Sequence, residues 1–302
     1  MSNTIPEKID LDHERYINPL TKKDIKKDDS YQTMFSVEFP KRGFDKLVVT
    51  EKTRKQIASI LTKIKNYDLL YNKFGLNEVD ASGGRTLINL YGPPGTGKSF
   101  AAEAIAYELG KKIVRANYAE IESKFVGETP KNIKAIFNIA KKEDAVLIFD
   151  EADSILGKRL SNITQSTDHA VNVSKSVMLI EMDNFSGITV FTTNFGQNYD
   201  SAFVRRIIGH IEFSLPDFER RKEIINNLIP KRLPIELTEN QKDKLINGTE
   251  GLSGGDLLNV VIYASSSAVE RDGEKCKVTL NDFMEAAENI KKAKSEIGVS
   301  KI

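Results

Sequence analysis

Residues 92 to 99 read Gly92-Pro93-Pro94-Gly95-Thr96-Gly97-Lys98-Ser99, a G-x-x-x-x-G-K-S run, and no other segment restricts the fold so strongly. Glycines at that spacing let the backbone curl into a concave nest whose N–H groups point at one anion. Lys98 adds a positive charge aimed at terminal phosphates, and Ser99 offers a hydroxyl to a Mg²⁺ that bridges them. The loop must lie between a strand and a helix, because the helix N-terminus has to face the same anion. The flanks agree. Thr86 to Tyr91 is a short apolar run with β propensity, and Phe100 to Leu109 is rich in helix formers before Gly110, a residue suited to a left-handed helix end.

The rest of the chain extends this unit. Apolar positions at Ile57, Ile60, Leu61, Ile64 and Tyr67 predict a helix within residues 51–74, and a mostly polar loop with Gly83-Gly84 covers 79–85. Residues 112–116 read as a second strand. Thr129 and Pro130 predict the N-cap and first position of a helix whose Ile133, Ile136, Phe137 and Ala140 share a face. Ala145 to Phe149 is a continuous apolar strand of the kind buried on both faces. A helix over 172–182 and a strand over 188–193 complete an alternation that predicts a parallel sheet with helices on both sides. From about residue 219 the pattern is helical only, with segments expected at 219–228, 239–246, 255–271 and 281–293. Pro216 marks the change. The expected domains are a polar arm over 1–43, a large α/β domain over 44–217 and a small helical domain over 218–302.

Charge and composition exclude several classes. Against 43 acidic residues stand 44 basic ones, so there is no net pull toward nucleic acid or anionic lipid. One cysteine, Cys276, rules out an internal disulfide framework and fits a reducing compartment. With that cysteine and only His13, His169 and His210, a zinc cluster is not expected. There is no signal-peptide pattern and no apolar run near about 18 residues, so a soluble, cytosolic protein is expected.

The buried strand ends in Asp150-Glu151. Beside a phosphate-binding loop, Asp150 can hold Mg²⁺ and Glu151 can accept a proton from an attacking water. Strand 188–193 ends at Asn194, whose amide can orient that water or contact the γ-phosphate.

These features together resemble the AAA family of P-loop ATPases. The resemblance rests on the 92–99 loop, on Phe149-Asp150-Glu151-Ala152-Asp153, on Leu179 to Asn184, on Thr192-Thr193-Asn194 and on Gly251 to Leu257, and it covers residues 44 to about 293. It implies that Asp150 and Glu151 are the Walker B pair and Asn194 the first sensor. It implies an arginine finger, supplied to the neighbouring subunit of a homo-oligomeric, usually hexameric ring, within Asp200 to Arg206. Relatives most often separate two arginines by two residues. Here Arg205 and Arg206 are adjacent, and Arg206 is the favoured finger with Arg205 as alternative or partner. Nucleotide contacts implied are Pro94, Gly95, Thr96, Gly97, Lys98, Ser99 and Phe100, with Val48 beside the adenine between Leu47 and Val49, and Gly255 where many relatives carry alanine.

The resemblance also bears on the substrate. Phe125-Val126-Gly127 is similar to the central-pore loop of protein-threading members, and residues 161–172, polar and loop-like, would form a second pore loop with His169 as a weaker contact. The resemblance thus implies an ATP-hydrolysing, Mg²⁺-dependent ring motor that remodels, disassembles or unfolds a protein partner, directly or through an adaptor. The compact layout resembles bacterial ATPases that disassemble HORMA-domain complexes. The alternative is an AAA-type loader or motor on nucleic acid, which would call for a basic excess or a DNA-binding extension. A membrane-bound metalloprotease subunit would require a His-Glu-x-x-His motif, which the chain lacks.

Overall fold

The computed structural model describes residues 35–80, 82–117, 121, 128–158, 166–194 and 199–297. Most of the polar arm and the Phe125-Val126-Gly127 triplet lie outside the described residues. A six-stranded sheet forms the middle layer. Its strands are β1 (Val37–Glu38), β2 (Thr86–Tyr91), β3 (Ile113–Asn117), β4 (Val146–Asp150), β5 (Ile188–Thr193) and β6 (Gly209–Glu212), in the spatial order β1-β3-β4-β5-β2-β6. β2 to β6 run parallel, as the alternation predicts. β1 is an antiparallel edge strand, Val37 opposite Val114, that the sequence reading lacks.

Alternate residues of the strands feed two cores. Leu87, Val114, Leu147, Phe149 and Phe191 face one side, where α3 (Glu128–Lys142) and α5 (Ser166–Asn184) supply Ile133, Phe137, Met178 and Met182. Ile88, Leu90, Ile148, Val190 and Ile211 face the other, against α1 (Glu51–Lys65) and α2 (Lys98–Glu108). In α2 the residues against the sheet include Ala101, Ala102 and Ala106, all fully buried, so the helix backbone lies close to the strands. The helix stops at Leu109, and Gly110 takes φ +61° as expected.

Several boundaries differ from the sequence reading. The helix expected within 51–74 ends at Lys65 and continues as a π-helix over Asp68–Lys73. There Tyr71 bonds Asp80 at 2.8 Å and leaves Gly83 no room for a side chain. Thr129 is not an N-cap, because α3 begins at Glu128 and Thr129 is already inside it. The loop expected over 161–172 gives way to helix at Ser166. Two short helices, α4 (Asp153–Leu156) and α6 (Ser201–Val204), carry too few residues to show a periodicity.

Beyond the sheet, α7 (Phe218–Leu228), α8 (Glu239–Gly248), α9 (Gly254–Asp272) and α10 (Leu280–Ile297) gather around a core of their own that includes Ile225, Leu245, Leu257, Val260 and Phe283. Asp217 caps α7 by accepting from Arg220 N at 3.0 Å. Thr238 and Ser253 cap α8 and α9 with reciprocal capping boxes. No described helix is long and apolar enough to cross a membrane.

Candidate nucleotide site

The parallel strands converge at their C-terminal ends, the edge where open α/β sheets bind ligands. The phosphate-binding loop leaves β2 there and enters α2. Its glycines are required by geometry: φ is +141° at Gly92, +74° at Gly95 and +98° at Gly97. A Cβ on Gly92 would stand 2.1 Å from the Phe213 carbonyl oxygen. Gly95 touches α9, where its carbonyl accepts from Gly255 N at 3.0 Å and a Cβ would meet Ser253 Oγ at 2.4 Å. Gly255 therefore sits on the phosphate loop, brought there by the Ser253 cap. Asp256 locks that cap through Ser253 N at 2.8 Å and pairs with Lys294.

Lys98 is buried, and its ammonium donates to the Gly92 and Pro93 carbonyls at 2.8 Å each. Burial pushes its pKa down, against the pull of the Asp153 and Asp150 carboxylates. Thr96 Oγ1 closes the turn on Pro93 O at 2.8 Å. Val48 and Val49 line a small cleft with Thr96, Phe213 and Gly254, beside the loop. The Phe100 ring lies under the Arg42 guanidinium, 4.7 Å from its centroid.

Asp150 and Glu151 have opposite surroundings. Asp150 Oδ1 accepts from Ser99 Oγ at 3.0 Å and Thr192 Oγ1 at 2.9 Å, and Oδ2 pairs with Arg115. Glu151 is exposed, adopts φ +53°, and its carboxylate has no hydrogen-bond partner among the described residues. A left-handed glutamate is uncommon and costs of order 1 kcal/mol. Its backbone is held by Glu151 N donating to Thr192 Oγ1 at 3.3 Å. Asn194 lies just past β5, the neighbour of β4, with its N–H donating to the Asp153 carboxylate at 3.1 and 3.2 Å.

The donors fit magnesium. Ser99 and Asp150 present hard oxygen atoms in contact with each other beside the phosphate nest, and among the described residues no group of three or more His, Cys, Asp or Glu is arranged to hold a metal ion. One carboxylate and one hydroxyl, completed by phosphates and water, is how Mg²⁺ is commonly held. Thr192 and Asp153 lie in stretches that carry the resemblance but were given no role of their own, and Arg115 had no signal in the sequence, because each reaches the site from a different strand or helix.

The structure does not leave Arg206 free. Its guanidinium is held by both Asp183 oxygens and by the Ala202 carbonyl. Arg205 is exposed and has no partner among the described residues.

Comparisons with known proteins place the chain among relatives. The model of the family described as "ATPase family associated with various cellular activities (AAA)" matches residues 88–215. A proteasome-activating nucleotidase of Saccharolobus solfataricus is 32% identical over 282 residues, covering 90% of this chain and 68% of its own. One from Methanopyrus kandleri is 31% identical and covers 89% and 61%. This chain thus spans about two thirds of the length of those archaeal relatives. The Arabidopsis thaliana ATPase family AAA domain-containing protein FIGL1 is 32% identical over 230 residues, 70% of this chain and 33% of that protein. A crystal structure of the FIGL-1 AAA domain in complex with ADP superposes with a TM-score of 0.70 at 22% identity, covering 89% of this chain and 92% of that one. The chain belongs to the AAA family of ATPases.

Proposed function

We propose that this chain is an ATP-hydrolysing subunit of a homo-oligomeric ring that remodels a protein partner by threading it through a central pore. The observation that carries the hydrolytic part is the contrast between Asp150, held by three side chains, and Glu151, exposed and unbonded among the described residues. Two adjacent carboxylates in opposite surroundings suit two roles, one positioning and one proton-accepting.

In this reading the 92–99 backbone cradles the phosphates of ATP, and Lys98 turns from its loop carbonyls to the β- and γ-phosphates. Ser99 and Asp150 would hold Mg²⁺. The chemistry a bound magnesium brings to such a site is neutralisation of charge on the phosphate oxygens. Glu151 takes the proton of the attacking water, and Asn194 orients that water. Val48 and Gly255 flank the adenosine. Arg205 or Arg206 of a neighbouring copy supplies the charge that offsets the transferred phosphoryl group.

The protein-remodelling part rests on the Phe125-Val126-Gly127 resemblance and on relatives whose names include a proteasome-activating nucleotidase. We further propose the division into a large domain over 44–217 and a small one over 218–302, moving against each other at the Gly95–Gly255 contact. The test is the Glu151→Gln protein. It should bind ATP, lose about 10²- to 10⁴-fold in turnover, and remain assembled with a bound protein partner. Turnover at the wild-type rate would remove Glu151 as the base.

A further inference from the structure

Asp150 carries a cation of its own. Arg115 reaches its Oδ2 from β3, two residues before Asn117, the residue in register with Asp150. Ile113 and Arg115 share the sheet face that α2 covers, since Val114 and Ala116 belong to the opposite core. α2 brings the buried Glu103 to that face. Glu103 feels the Arg115 charge, yet its oxygens are taken by Lys41 N at 2.8 Å and by Arg42. Asp150 is the one carboxylate that Arg115 pairs with among the described residues.

We propose that Arg115 is a positioning residue that competes with the divalent cation for Asp150 and so sets how strongly nucleotide binding depends on Mg²⁺. The inference rests on reading Asp150 as the metal-site carboxylate. A carboxylate paired to a guanidinium presents almost no net charge, whereas a bare one attracts a dication and repels phosphate. Removing the Arg115 charge therefore acts twice in the same direction. It tightens nucleotide binding with Mg²⁺ and weakens it without. The pair is partly solvated, with side chains 28% and 20% exposed, so the effect is graded.

The experiment is calorimetric titration of ADP, with saturating Mg²⁺ and with a chelator, into wild type, Arg115→Met and Arg115→Lys. The readout is the dissociation constant with chelator divided by that with saturating Mg²⁺. It should rise about five-fold in Arg115→Met and stay within about two-fold of wild type in Arg115→Lys. An unchanged or smaller ratio in Arg115→Met overturns the proposal, and so does an equal rise in Arg115→Lys. Should Arg115→Met lack a cooperative melting transition, Arg115→Gln carries the same expectation. A wild type whose ADP affinity ignores Mg²⁺ overturns the metal-site reading and this inference together. A responsive wild type with flat variants overturns the role of Arg115 alone.

Discussion

Asp183 grips Arg206 across the fork of its guanidinium, Nε donating to Oδ1 at 2.9 Å and Nη2 to Oδ2 at 2.7 Å. The same carboxylate also pairs with Arg85, at the entry to β2. The Arg206 hydrogen bonds hold the Asp183 carboxyl below the usual carboxylate range. A depressed folded-state pKa means stability that is present above the unfolded value and lost as pH falls through the folded one. Asp183→Asn should therefore cost about 1 kcal/mol at neutral pH, discounted for partial exposure. Denaturant midpoints of the two proteins should converge below about pH 4. Parallel midpoint curves from neutral to acid would contradict the pairing.

The same grip separates the two candidate fingers. If Arg205 reaches the neighbouring site, Arg205→Ala should lose about 10³-fold or more in ATP turnover with little change in melting temperature, since its side chain is exposed and unpaired among the described residues. Arg206→Ala should lower melting temperature in either case, because Asp183 and the Ala202 carbonyl lose their donor. Turnover and melting measured on both variants distinguish a finger from a brace. A turnover loss confined to Arg206→Ala would mean that the Asp183 grip is released on assembly.

Phe125→Ala should reduce the amount of protein substrate remodelled for each ATP hydrolysed. A pore aromatic transmits force to a threaded segment, and alanine keeps the backbone while removing the grip. The measurement couples a phosphate-release assay to unfolding of a fluorescent substrate. An unchanged ratio would leave Phe125-Val126-Gly127 without a role in threading.

Much of the site was legible in the sequence because it is local. The 92–99 loop, the Asp150-Glu151 exit and Asn194 each sit at the end of an apolar run, and the parallel order of β2 to β6 brings those ends to one edge. What could not be read is pairwise and distant. Arg115 meets Asp150 across 35 residues, and Arg206 meets Asp183 across 23. No periodicity marks either pair. Short elements escaped for a related reason: β6 has a single fully buried residue, Ile211, and so no visible alternation. The start of α5 escaped because Ser166-Thr167-Asp168-His169 has turn-like composition, although the backbone there is helical.

Gly95 tests whether the phosphate loop and the C-terminal helices act as one unit. Its φ of +74° disfavours any side chain, and a methyl would strike Ser253 Oγ at 2.4 Å. Ser253 cannot retreat cheaply, because its hydroxyl donates to Asp256 at 2.8 Å and caps α9. Gly95→Ala should therefore destabilise by about 1–3 kcal/mol and push α9 off the loop. ADP affinity should fall by at least about ten-fold, because the loop N–H groups and Gly255 lose their relative placement. Gly110→Ala is the matched control. Its φ of +61° imposes similar backbone strain, but a Cβ there meets nothing within 4 Å. That variant should lose about 1 kcal/mol and keep its ADP affinity. Equal loss of affinity in both would assign the effect to backbone strain and dissolve the link between Gly95 and α9.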